Sequence, residues 1–265
     1  MKKYVVDNDM HLHSNYSLCA QDPLQTKDNI LLYAKKNGYK TICVTDHFWD
    51  EELDGAFSSY PITNYKHISQ INPLPQEDDI RFLFGCEVEM DANYRISITK
   101  EKFDLFDFIV IPTTHFHFKE YVLSKEDLVD NKSRAMAWVK RFDAVLNMDL
   151  PFEKVGIAHL TCSCIAPTEE GVIEVLSLIP EDEMYRLFKK AAEKGVGIEL
   201  NAHSLLFDDN SAEIYLRPYK IAKECGCRFY CGTDAHTMAG FEGTKLVLQK
   251  VAERLNLTEE DKFIL

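Results

Sequence analysis

The chain of 265 residues predicts an α/β fold built as a barrel of seven parallel strands. Two observations predict it. Seven short apolar runs alternate with segments of helical periodicity, and a strand, helix, strand succession of this kind implies parallel strands. In six of the seven runs a His, Asp or Glu closes the run, which is where parallel barrels place their active sites.

The elements follow in order. Residues 4–10 read as the first strand. Residues 26–37 form a helix, with Thr26 as its cap and Gly38 as its stop. The second strand is 40–45. Residues 48–79 are irregular, with aromatics, three prolines and an acidic end. They are too long for a plain connector and are expected to form a rim or lid over a site. The third strand is 81–88, and a short helix near 99–105 leads to the fourth, 107–112. Ser124 caps a helical pattern, and a longer helix spans 133–147. The fifth strand is 154–158. A helix at 181–194 ends at Gly195, the sixth strand is 196–201, and a helix follows at 211–224. The seventh strand, 228–232, precedes a last helix at 242–255. No repeat or low-complexity tract divides residues 1–265, so one domain is expected.

Composition narrows the function. At 46% hydrophobic the chain can bury a large core. Its apolar runs are far shorter than a membrane span, and the MKKYVVDNDMHLH start lacks the apolar stretch of a signal peptide. A cytoplasmic protein without a membrane partner is expected. A net charge of −13 argues against nucleic acid as a partner, because that affinity comes from Lys and Arg neutralising phosphates. Most of the eight cysteines sit in or beside apolar runs, where thiols behave as small hydrophobes. No C-x-x-C pair is present.

The residues at the strand ends carry the chemistry. His11 and His13 lie two apart on an extended chain, share a face and can bind one ion together. Asp234 and His236 repeat that spacing on the last strand. Asp46 and His47 are adjacent, so one is expected as a ligand and the other as its orienter. Glu87, His115 and His159 each close one further run. Imidazole suits zinc or iron, and carboxylate suits manganese, so a mixed set points to a cluster of divalent ions of Zn, Mn or Fe. Clustered ions of this kind acidify a water and clamp phosphoryl oxygens. There is no G-x-S-x-G, Walker A or H-E-x-x-H pattern. Glu199 and Asn201 are expected to hydrogen-bond ligands, and His203 to line the pocket. His117 stands as a second candidate beside His115, and Glu89 is expected to face solvent. Phe48, Trp49, Phe57 and Tyr60 are expected as core or rim. Candidates for holding phosphate are Arg134, Lys132, Arg81, Arg95 and Arg217.

The segments HLHSNYS at 11–17, TDH at 45–47, GCE at 85–87, TTH at 113–115, AHL at 158–160 and GTDAH at 232–236 occur in an order that resembles the PHP (polymerase and histidinol phosphatase) family over nearly the whole chain. The resemblance implies a distorted seven-stranded (β/α)7 TIM-like barrel and a metal-dependent phosphoesterase. It implies a phosphomonoesterase of a small, histidinol-phosphate-like substrate. Alternatives are a nucleotide phosphodiesterase or exonuclease, and a non-catalytic metal-binding regulatory domain. By the resemblance His11, His13, Glu87 and Asp234 hold a first metal. Glu87 bridges to a second, held by His115 and His159, and His47 and His236 hold a third. Asp234, His236 and Glu87 are the expected catalytic residues. The family supplies another ligand eight residues after its first His, commonly His or Asp, and here that position is Cys19. Either its thiolate completes the third site, or Cys19 is inert and the third ion weak or absent.

Overall fold

The computed structural model describes residues 2–57 and 60–265. The described residues contain nine strands: β1 (Asn8–Leu12), β2 (Thr41–Val44), β3 (His47–Phe48), β4 (Arg81–Phe84), β5 (Cys86–Val88), β6 (Ile109–Pro112), β7 (Val155–Ala158), β8 (Gly197–Asn201) and β9 (Arg228–Gly232). They also contain seven α-helices: α1 (Lys27–Asn37), α2 (Tyr65–Ile68), α3 (Asn131–Asn147), α4 (Glu169–Leu178), α5 (Glu181–Lys194), α6 (Ala212–Glu224) and α7 (Thr244–Arg254). Every strand pairing is parallel. The order is β1-β2-β4 in one sheet and β3-β5-β6-β7-β8-β9 in the other.

Seven runs become nine strands because the 81–88 run divides and β3 forms just beyond the 40–45 run. The 81–88 run breaks at Gly85, whose N–H bonds the Val44 carbonyl in one sheet at 2.8 Å, while Cys86 N–H bonds the Phe108 carbonyl in the other at 3.0 Å. Only glycine fits the crossing, since a Cβ there would lie 2.5 Å from Phe108 O and 2.8 Å from Cys43 Sγ. β3 lies past the predicted end of the second strand and joins the other sheet. Neither sheet closes its ladder. β9 meets β1 through Asn8 Oδ1, which accepts from Cys231 N–H at 2.9 Å, and Asp9 Oδ1, which accepts from Thr233 N–H at 3.0 Å. The Asp234 N–H to His11 O bond, 2.7 Å, continues that seam.

The first strand begins later than the sequence predicts. Residues 3–5 bind the C-terminal segment instead: Lys3 bridges Thr258, and Tyr4 N–H bonds Leu257 O. Thr26 caps α1 and Gly38 ends it in the left-handed conformation, as expected. Asp130 caps α3, which starts two residues before the predicted 133. The pattern after Ser124 makes only a 3-10 turn at Glu126–Leu128, and the short helix near 99–105 is likewise 3-10. α4 was not foreseen; Thr168 caps it.

Two buried clusters hold the layers. Most helices pack on the outer faces of the strands. A second cluster takes Met10, Cys43, Leu83, Val110, Ala158 and Tyr230 from six strands, together with Phe108 and Phe263. Arg141 of α3, 1% exposed, donates to the carbonyls of Met90, Asp91, Thr113 and Val122 at 2.7 to 3.0 Å. It thereby ties together the segments that follow β5 and β6. No helix among the described residues is long and apolar enough to cross a membrane.

Candidate metal centre

The expected ligands converge at the carboxyl ends of the strands. His11 lies on β1, His47 on β3, Glu87 on β5 and Glu199 on β8, while His115, His159 and Asp234 follow β6, β7 and β9. Glu87 is the hub. Its Oε2 lies 3.6 Å from His11 Nε2, 3.5 Å from His13 Nε2 and 3.2 Å from His47 Nδ1. Its Oε1 faces the other way, 3.4 Å from His159 Nε2 and 3.7 Å from His115 Nε2. Asp234 Oδ1 closes the first group, 3.6 Å from His11 Nε2 and 3.2 Å from His13 Nε2. Ligands about 2.0 to 2.2 Å from a tetrahedral zinc stand roughly 3.3 to 3.6 Å from one another. The observed edges are of that length, so the donor set fits divalent ions.

Four imidazoles are held at Nδ1 and so present Nε2 inward, whereas His47 turns Nδ1 to Glu87. His236 Nδ1–H donates to the Asp234 carbonyl at 2.7 Å. His11 Nδ1–H donates to Glu199 at 2.8 Å, and His115 Nδ1–H to Glu89 at 2.9 Å. Thr114 Oγ gives its proton to His159 O and accepts from His159 Nδ1–H at 3.0 Å. Ring nitrogens held this way fix the tautomer that binds metal. His11 Nε2, His13 Nδ1 and His47 Nδ1 are buried without a hydrogen-bond partner, a costly arrangement that a cation relieves. Backbone strain marks the same place: His159 and Asp234 hold φ of 30° and 55°.

The charges point the same way. Burial pushes the Glu87 carboxyl up, yet His47 and His11 hold it well below the usual range. Burial opposes the His13 proton, but Cys19 and Asp234 raise it to about 10. The Cys19 thiol is pushed up by burial and drawn down by His13 and His47 to about 3. Without metal, protons occupy the places where cations would sit, and binding displaces them.

Three groups of donors come within 4.8 Å of one another: His11, His13 and Asp234; Glu87, His115 and His159; and His13, Cys19 and His47. In the third group His13 stands where His236 was expected. The His236 ring lies 4.4 Å from that of His13, and His236 lines the shared cleft. That cleft, about 390 Å³, is also lined by Leu18, Cys19, Tyr60, His117, Phe118 and Cys164. Asp46 bonds Ser14 rather than its neighbour His47: it accepts from Ser14 N–H at 2.6 Å and Ser14 Oγ–H at 2.5 Å, fixing the loop after His13.

Other expectations fare differently. Glu89 does not face solvent. It is 1% exposed and bonds His115, because two residues beyond Glu87 the strand returns to the same face. Glu199 does bond a candidate ligand, accepting from His11 and, at 2.6 Å, from the His159 N–H. His203 is exposed and does not line the cleft. His117 lines it but belongs to no donor group. Tyr60, 5.3 Å from the His47 ring, puts the 48–79 segment at the rim; its residues 58 and 59 lie outside the described residues. None of the five basic candidates lines the cleft. Arg81 bonds the Leu265 carbonyl, Arg95 pairs with Asp91, Arg217 serves the carbonyls of Leu176 and Ile179, and Arg134 that of Ile165.

Residues 9–203 match the model of the PHP domain. The chain belongs to the PHP family, and its class is that of the metal-dependent phosphoesterases. Among solved structures it is similar to a histidinol phosphate phosphatase from Lactococcus lactis, crystallised with zinc, L-histidinol and phosphate. The TM-score is 0.57 at 18% identity, over 94% of each chain. No curated protein matches.

Proposed function

We propose that the protein is a phosphomonoesterase of a small phosphorylated metabolite, with histidinol phosphate the first candidate, working with two or three ions of zinc, manganese or iron. The observation that carries this is the division of Glu87, one oxygen toward His11 and His13 and the other toward His115 and His159, at ligand-edge distances. His11, His13, Glu87 and Asp234 would hold one ion, and Glu87, His115 and His159 a second. His47 and Cys19 would hold a third, with His13 beside them and His236 on the same cleft. When bound, such ions supply an acidified water and a clamp for the phosphoryl oxygens.

The chain's own residues do the rest. No Lys or Arg lines the cleft, so phosphate recognition falls to the metal positions. The same lack disfavours a long polyanion as substrate. Tyr60, Phe118 and Leu18 wall the space left for the leaving group. Asp234 and His236, which line the cleft, would hold or move a proton at the leaving oxygen. The bonds joining β9 to β1 support a reading of the two sheets as one distorted barrel around this site. Eight free cysteines support a reducing compartment, the cytoplasm.

The test is hydrolysis by metal-loaded protein of an aryl phosphate monoester, an aryl diester and histidinol phosphate. Turnover of the monoester over the diester is expected. Preference for the diester would favour the phosphodiesterase, and turnover of none of the three would refute the catalytic reading.

A further inference from the structure

The third donor group differs in kind from the other two. Both of those are built of imidazole and carboxylate alone, whereas the third contains a thiol. Cys19 is exposed to the cleft, and its neighbours hold it there. Ser14 is anchored to Asp46, Ser17 N–H bonds Ser14 O at 3.0 Å, and Ala20 N–H bonds Ser17 O at 3.2 Å, so Cys19 sits on a fixed turn. Ser17 Oγ lies 3.1 Å from its sulfur. His13 and His47 each bring a ring nitrogen within 4.8 Å of it, and His13 Nδ1 is buried without a hydrogen-bond partner. His13 and His47 are 0% and 5% exposed.

We propose that Cys19 and His47 make the third position a thiolate site, which takes zinc, iron(II) or cobalt(II) and refuses manganese and magnesium. The other two positions take either kind. The reason is ligand softness: sulfur favours the borderline cations, while manganese and magnesium favour oxygen donors. This rests on the metal-centre reading given above. It adds that one sulfur gives the three positions unequal metal preferences, so the protein in a manganese-rich, zinc-poor medium would carry its third position unfilled.

The experiment uses the full chain loaded with cobalt(II). The wild type should show a sulfur-to-cobalt charge-transfer band in the near ultraviolet. Cys19→Ser should lose that band while keeping the visible d–d bands of the other positions. Loaded with manganese, Cys19→Asp should hold about one more ion per chain than the wild type. Visible bands without charge transfer in the wild type would overturn this inference alone. So would a charge-transfer band that survives Cys19→Ser, or a Cys19→Asp variant that gains no manganese. Absence of every cobalt band would overturn the metal-centre reading with it.

Discussion

Glu199→Gln isolates the layer that aims the ligands. Glu199 touches no expected cation position, yet its two oxygens accept two buried donors, His11 Nδ1–H at 2.8 Å and the His159 N–H at 2.6 Å. Glutamine keeps the shape but has one acceptor oxygen. Its NH2 must then face one of the two donors. If it faces the His159 N–H, a buried donor loses its bond, at a cost of about 1 to 3 kcal/mol in stability. If it faces His11, the imidazole is driven to accept at Nδ1 and carries its proton on Nε2, the atom meant for metal. Loss of such an orienting partner typically lowers metal affinity by about 10- to 100-fold, equal to about 1.4 to 2.8 kcal/mol. Chelator competition for zinc measures the affinity, and urea unfolding of the metal-free protein measures the stability. Zinc affinity within about twofold of wild type together with unchanged stability would refute the reasoning, because neither buried donor would then depend on the carboxylate.

Other outcomes follow from the same geometry. Glu87→Ala and His13→Ala should each lower phosphatase activity by at least about 100-fold with circular dichroism unchanged; wild-type rates in either variant contradict the assignment. Arg141→Met should destabilise by more than about 3 kcal/mol, since four buried carbonyls lose a charged donor; a loss under about 1 kcal/mol in urea would show that they find other partners. The metal-free protein should respond to pH at both ends. His13 is raised from 6.5 to about 10, against burial, by Cys19 and Asp234, so its contribution is full below 6.5 and fades as pH climbs to about 10. Burial pushes Glu89 up, but His115 brings it down to about 2, so its contribution is full above 4.5 and is lost as pH falls to about 2. Melting temperature without metal should therefore be highest between about pH 4.5 and 6.5; a steady rise from pH 6.5 to 9 would contradict this.

The candidate ligands were legible in the sequence because strand ends are. A His or acid after an apolar run marks one rim of a parallel sheet, and His11/His13 and Asp234/His236 share faces by simple alternation. Glu89 obeyed the same period-two rule and was misjudged only because an isolated acid usually faces water. α4 escaped because its sequence, EEGVIEVLSL, places Gly171 in the first turn and then β-branched residues, which read as poor helix formers. The division of the third strand has a local sign, Gly85, but its cause is the close approach of Phe108 and Cys43. The role of Arg141 has no local sign, since its four acceptors come from three separate stretches of chain. The basic candidates misled because charge alone does not say which face a side chain serves.

The centre itself is tested most directly by elemental analysis of the purified, metal-loaded chain. The account predicts two or more divalent ions per chain in the wild type, falling by at least one in Glu87→Ala, where the carboxylate shared by two donor groups is gone. A wild type that holds one ion or none, or a Glu87→Ala protein with the full complement, would contradict it.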